Sequence, residues 1–252
     1  MIKIRQTEFI ETVKKALNRR GSDVRSLEDM IRKQPDADDI RLLEAIRNRD
    51  GKMRIDLLDR ITETGKMLNM VVISAKDTVS MTTAIAEIAA AENSEWGEKK
   101  SVVAWNHPLV ESLDLFTALE PLNIPVHFPN SMTGTDRQAK FRMHAESALI
   151  GITSADYCVA ETATMTMKSR MGRPRCVSLL PSIHIAIIRL DQILSTLKEL
   201  YMLLKWDPDE QSEGLSDCLT FITGPSKTAD IEATLVQGAH GPRALYLFVL
   251  NP

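Results

Sequence analysis

Met70-Val71-Val72-Ile73-Ser74 and Ser101-Val102-Val103-Ala104-Trp105 are short apolar runs, and between them Ala84, Ile85, Ile88 and Ala89 recur at helical spacing. Pro108 opens the next predicted helix as its first residue, with Leu109, Leu113 and Phe116 facing inward, and Ile124–Phe128 is a third strand. Strands that are apolar throughout and alternate with helices predict a parallel sheet covered on both faces.

Further along, Thr164-Met165-Thr166-Met167-Lys168 alternates polar and apolar residues, the period of a half-exposed strand. With Tyr157–Ala160 and Cys176–Leu180, also read as strands, it predicts an inserted antiparallel element. Ile183–Leu190 reads as a strand, Ile193–Leu204 as a helix, Leu219–Thr223 as a strand, Ile231–Val236 as a helix and Leu245–Leu250 as a final strand. Asp207–Glu213 reads as a polar surface loop. The predicted fold is a three-layer α/β domain with a mixed sheet over residues 63–252.

Residues 1–62 read differently. The first 60 positions hold 15 Lys+Arg and 12 Asp+Glu, a local excess of base in a chain whose net charge is -3. Such a step in composition marks a change of architecture. Phe9, Val13 and Leu17, then Val24, Leu27 and Ile31, then Leu43 and Ile46 form narrow apolar stripes at helical spacing. A narrow stripe cannot close a core alone. An N-terminal helical arm is therefore expected, packed on its own domain or, leaving a homo-oligomer open, on another copy.

Composition excludes several classes. Hydrophobic residues make up 44% and charged residues 26% of the 252, ordinary for a globular chain. Apolar runs fall far short of the roughly 18 residues that span a bilayer. There is no basic start followed by an apolar core and a cleavage site, so a cytoplasmic protein is expected. A pI near 6.0 gives no general attraction to nucleic acid. Cys158, Cys176 and Cys218 lie far apart with no Cys-x-x-Cys pair, too few thiolates for an iron–sulfur cluster. His107, His127, His144 and His240 show no close metal-ligand spacing, so no metal site is expected.

Four segments could carry chemistry. In Cys158-Val159-Ala160-Glu161-Thr162-Ala163-Thr164 an apolar run ends in an acid followed by two hydroxyls. A carboxylate at the open edge of a sheet can act as nucleophile or general base, with Thr162 and Thr164 orienting it. The same residues equally read as a turn whose threonines bond the backbone. Arg170-Met171-Gly172-Arg173-Pro174-Arg175 could clamp an anion, although a solvated Gly/Pro turn is the commoner meaning of such a run. His184 interrupts an apolar strand, where a ring needs a partner, and a satisfied core histidine is the plain alternative.

The fourth segment is Thr223-Gly224-Pro225-Ser226-Lys227-Thr228-Ala229-Asp230-Ile231-Glu232, continuing to Gly238-Ala239-His240-Gly241-Pro242-Arg243. A Gly-Pro-Ser loop between a strand and a helix would aim backbone N–H groups at an anion. Ser226, Lys227 and Thr228 would add donors, and His240 and Arg243 would return to the same edge. Asp230 and Glu232 in the helix's first turn argue against a phosphate dianion and favour a small carboxylate. The spacing matches neither the P-loop nor the dinucleotide fingerprint, so no nucleotide cofactor is indicated.

Together these motifs resemble the lactate utilization protein C family, whose module is the LUD domain. The resemblance runs over residues 149–250 and rests on Gly-Ile-Thr-x-Ala-Asp, Ala-Glu-Thr-x-Thr, Leu-Pro-x-x-His-Ile-Ala, and Gly-Pro-Ser-Lys-Thr-Ala-Asp-Ile-Glu with His-Gly-Pro. It implies a fold similar to the CoA-transferase and ribose-phosphate-isomerase superfamily. It also implies a non-redox part in oxidising L-lactate to pyruvate beside iron–sulfur partner proteins. The same resemblance leaves open a CoA-transferase-like enzyme with Glu161 as nucleophile, or a ligand-sensing or structural partner. Ala163 stands where the family usually has Gly, and Ser182 where it usually has a second Pro.

Overall fold

In the computed structural model the described residues are 12, 34–94, 99–213, 218–229, 235–237 and 240–251. The stripes expected at Phe9–Leu17 and Val24–Ile31 lie outside them. Contacts divide the chain after Asp38, and the larger unit, Asp39–Pro252, holds every strand among the described residues. The helix Gly51–Met67 runs through residue 62, the last position assigned to the arm, and buries Leu57, Leu58 and Ile61.

Six strands form one sheet in the order β1-β12-β7-β4-β2-β3, namely Met70–Ala75, Ala244–Leu250, Ile183–Arg189, Ile150–Ser154, Val102–Ala104 and Val126–His127. Every neighbouring pair is parallel. The antiparallel pairs β5–β6 and β6–β9 belong to a second sheet, β8-β5-β6-β9, built from Ile193–Leu194, Tyr157–Val159, Thr164–Lys168 and Leu219–Thr223. β4 is buried at all five positions, as a parallel strand covered on both faces must be. On one face Ile150, Ile152, Ile183, Ile185 and Phe248 meet Met81, Ile85 and Ala89 of the helix Thr78–Ala91. On the other face Ala186, Ile188, Leu247 and Val249 meet Ile61, Phe141 and, from the second sheet, Cys158, Met165 and Met167.

The second sheet is itself covered on its outer side. Val159 and Leu194 pack with Leu43, Leu200 and Leu203. Ion pairs reinforce this cover: Arg47 with Asp207 at 2.9 Å, Arg49 with Glu199 at 2.5 Å, and Lys168 with Glu210. Tyr157 donates its hydroxyl to Glu210 at 2.8 Å.

Five local expectations are corrected. Cys176–Leu179 is a helical turn, because Pro174 and Arg175 start i,i+3 bonds to Val177 and Ser178 at 3.3 and 3.1 Å. Residues 193–194 are a short strand, and the helix starts at Leu197 behind Thr196, whose side chain accepts from Glu199 N–H. Leu235–Gln237 (β11) pairs antiparallel with Lys227–Ala229 (β10), so its backbone is satisfied across a hairpin rather than within the expected helix; residues 231–234 lie outside the described ones. Pro208–Glu213 is a helix with Asp207 accepting from Asp209 N–H at 2.9 Å. Phe116 is 58% exposed, and its ring meets Phe128 at 5.6 Å while Leu115 and Leu119 face inward.

Gly151 explains why the cover over β4 is so close. A Cβ there would stand 1.8 Å from the Val177 carbonyl oxygen and 2.9 Å from Pro181 Cγ. Backbone cannot yield as a flexible side chain can. Gly151→Ala is therefore expected to destabilise the protein by more than the ~1–3 kcal/mol of ordinary overpacking. Urea denaturation measures it, and a midpoint equal to wild type would show that the turn shifts without cost.

Candidate functional site

The motif residues gather at the loops that precede β1, β7 and β12. Gly224 has φ +73° and leaves β9 beneath Leu68, whose carbonyl oxygen would lie 3.1 Å from an added Cβ. Ser226 N–H donates to Pro242 O at 2.8 Å, and Arg243 N–H donates to Ser182 O at 2.8 Å. A Cβ on Gly241 would meet Ser226 Cβ at 3.3 Å. Both ends of the fourth segment and the Ser182 motif are thus laced together at the amino edge of the parallel sheet. Arg243 extends from this edge to Glu92 at 2.8 Å.

Glu161 does not sit where a strand leaves the carboxyl edge of the parallel sheet, as the apolar run before it suggests. It lies exposed in the turn Ala160–Ala163 between β5 and β6, since the chain folds back after β4 into the second sheet. Its backbone N–H donates to Ser195 O at 3.1 Å. Thr162 and Thr164 do not orient its carboxylate. Their hydroxyls bond each other at 2.8 Å, and Thr164 continues to Thr223 at 2.7 Å across the β6–β9 pair. This three-hydroxyl chain ends one residue before Gly224. Ala163, buried in the same turn, has φ +46°, a left-handed conformation that a glycine adopts without the cost of a Cβ.

Lys227 is exposed at the start of β10, and His240 is exposed beside Gly241. Thr228 belongs to the same strand, and Asp230 lies outside the described residues. Because Lys227–Ala229 is a strand, the anion cradle expected from a helix N-terminus is not formed there.

His184 is fully buried in β7, in register between Gly151 and Leu245. Its Nε2 shares a 2.8 Å hydrogen bond with the Thr153 hydroxyl, and its Nδ1 has no partner among the described residues. Burial holds its pKa down to about 3, so the ring is neutral at pH 7.

The opposite edge carries a cluster to which the sequence alone gives little weight. The connection from β2 leads outward to β3 and that from β4 leads to β7 on the other side, which makes their adjacent carboxyl ends a topological switch point. The Arg170–Arg175 segment lies there as part of the structure rather than as a solvated turn. Asn106 N–H donates to Gly172 O at 3.1 Å, and Trp105 Nε1 donates to Pro174 O at 2.9 Å. Asp156 accepts from Arg170 and, at 2.7 Å, from Lys168 N–H. His107 caps the next helix through Nδ1, 3.1 Å from Leu109 N. Burial first, then Arg173, Arg189 and Arg170, push its pKa down to about 4 against the pull of Asp156. An open cleft of about 490 Å³ adjoins this edge, lined by Arg54, Arg189, Asp191 and Asn251 among others. The available signal is Asp156, an acid directly after an apolar strand, with three arginines 14 to 19 residues on.

Among the described residues no helix is long and apolar enough to cross a membrane, and no group of three or more His, Cys, Asp or Glu is placed to hold a metal ion.

A model of the LUD domain family matches residues 58–250. Lactate utilization protein C of Halalkalibacterium halodurans is 38% identical over 151 residues, covering 60% of this chain and 63% of that protein. Its namesake in Geobacillus sp. is 35% identical over 155 residues, covering 60% and 62%. The matched stretch thus spans less than two thirds of these relatives. A crystal structure of a DUF162 family protein from Deinococcus radiodurans has the same fold, with TM-score 0.51 and 21% identity over 79% of this chain and 98% of that one.

The buried imidazole gives a test. With a folded-state pKa near 3 against 6.5 ordinarily, neutral His184 contributes stability that is complete above pH 6.5. As pH falls from 6.5 toward 3, the unfolded chain takes the proton first and that stability is lost, by at most about 1.4 kcal/mol per pH unit. His184→Gln is expected to lose less stability than wild type between pH 6.5 and 4.5 in parallel urea titrations. Identical slopes would place the proton on His184 in the folded state.

Proposed function

The chain belongs to the LUD domain family, and from that premise we propose that it is a non-redox component of a cytoplasmic system oxidising L-lactate to pyruvate. In this reading it binds a small carboxylate and iron–sulfur partner proteins. The relatives named lactate utilization protein C support the lactate role. The observation that carries the binding role is the lacing of Gly224, Ser226, Gly241 and Arg243 onto the loops before β1, β7 and β12. Lys227 stands exposed beside this edge and supplies the charge for a carboxylate; Thr162, Thr164, Thr228, His184, Asp230 and His240 are the further candidates of this reading.

A second location is favoured by one specific observation, the cleft at the carboxyl ends of β7 and β12, where Arg54 and Arg189 both line the wall. Two guanidiniums suit a carboxylate, though Arg189 also meets Asp191 at 3.5 Å. The alternative enzyme reading keeps Glu161 as an acyl acceptor, and its exposure in the β5–β6 turn leaves the carboxylate accessible.

Calorimetric titration with L-lactate and pyruvate separates the locations. Loss of one charge-assisted hydrogen bond of about 1.5–3 kcal/mol weakens binding roughly tenfold or more. Lys227→Ala is expected to show that loss and Arg54→Ala to bind as wild type; the reverse pattern moves the site to the cleft. A deletion strain carrying the wild-type gene should regain growth on L-lactate, and failure to do so removes the lactate role. Thioester exchange between acyl-CoA and either acid, abolished by Glu161→Gln, would instead support the enzyme.

A further inference from the structure

A cavity of about 920 Å³ opens at the amino end of β2, lined by none of the motif residues. Its polar lining is Lys99, Lys100, Ser101, Asn123, His127, His144 and Ser147. Leu122, Ile124 and Pro125 give it an apolar wall. No described lining residue is acidic. An active-site cleft that takes a whole small molecule measures about 300–1,000 Å³, so this one is oversized for lactate or pyruvate.

Two features show that the bases are held in place. Lys100 donates to the carbonyls of Ala89 and Ala90 at 3.1 and 2.7 Å, which fixes its ammonium at the end of the helix Thr78–Ala91. The rings of His127 and His144 stack with centroids 3.9 Å apart and planes 23° from parallel, bringing the edges of two imidazoles side by side. Burial and the neighbouring ring both disfavour the charged form of His127. Two imidazoles and two lysines thus line one cavity with no carboxylate among its described lining residues. A bound group offering several anionic oxygens would accept one N–H from each ring and answer the lysine charge.

We infer that this cavity binds a phosphorylated small molecule, its phosphoryl group between the His127–His144 pair and the Lys99–Lys100 ammoniums, and its apolar body on Leu122, Ile124 and Pro125. A monocarboxylate carries one negative charge and would leave most of the cavity to water. The site is independent of the lactate reading.

The test uses the full chain with inorganic phosphate and adenosine monophosphate as probes. Titration followed by the imidazole C–H resonances is expected to give saturable shifts at His127 and His144, with His107 and His184 unmoved. By calorimetry the nucleotide should bind at least tenfold more tightly than phosphate, because only it reaches the apolar wall. Lys99→Ala and His144→Gln should each weaken phosphate binding tenfold or more, and both change residues outside the buried core. Non-saturating shifts, shifts spread over all histidines, or unchanged affinity in both variants would overturn the site. Equal affinity for phosphate and the nucleotide would overturn the assigned ligand class.

Discussion

The missing side chain at Gly151 sets how this fold closes. A parallel sheet must be covered on both faces, because its strands are apolar throughout. Over β4 the cover is backbone laid on backbone, with the Val177 carbonyl where a Cβ would otherwise be. That contact seats Val177 in the core and fixes where the preceding residues run. They run across the carboxyl ends of β2 and β4, and this is why Gly172 and Pro174 accept from Asn106 and Trp105. The motif glycine is thus explained by packing, without reference to a ligand.

A consequence reaches the candidate sites. Ligands of open α/β sheets usually bind in the crevice at the switch point. Here the chain's own Arg170–Arg175 segment lies in that crevice, and Asp156 takes up Arg170. The second sheet begins at this same edge, where Gln192 donates to the carbonyls of Ala155 and Asp156 at 2.9 Å each. It then carries Glu161, Thr162 and Thr164 back toward the loops before β1, β7 and β12. The motif hydroxyls and small residues therefore collect at the edge the general rule does not favour, and at the end of β9, an antiparallel strand to which the rule does not apply.

How much of this is legible in the sequence depends on the range of each interaction. The parallel strands are readable because burial on both faces leaves an apolar run in the sequence, and Ile183–Arg189 and Ala244–Leu250 lie within a residue of their expected bounds. The turn at Cys176–Leu179 is not, since apolar Cys-Val-x-Leu-Leu looks like a strand until Pro174 is given its turn-starting role. The helix Pro208–Glu213 does announce itself: Asp207 as cap, proline at the first position and acids in the first turn are ordinary signals, masked here by the polarity that makes the segment look like a loop. The site motifs are visible as segments, but the pairing of Lys227–Ala229 with Leu235–Gln237 depends on a hairpin closure that the helical spacing of Ile231–Val236 conceals. The side-by-side placement of His127 and His144 leaves no signal at all, because 17 residues and most of a helix separate them.

The distribution of charge partners separates bases that hold the fold from bases available to a ligand. Arg47, Arg49, Lys168 and Arg170 each meet a carboxylate, and three of those pairs tie the outer helices to the rest of the unit. The Arg49–Glu199 and Lys168–Glu210 pairs are desolvated and costly to break, since the abandoned partner remains buried and charged. With the Arg47–Asp207 pair they specify where Asp207, Glu199 and Glu210 must lie, and so where the helices Leu197–Trp206 and Pro208–Glu213 must pack. Solvent-facing Lys227 at the motif edge and the two lysines that line the cavity of the His127–His144 stack stand in settings of another kind. In the cavity the described lining offers hydroxyls, an amide and apolar walls but no acid, and this is the setting in which an anionic ligand would answer the charge of the lysines. Fold-holding cations are those the chain neutralises itself, and the chemistry of this protein is to be sought where it does not.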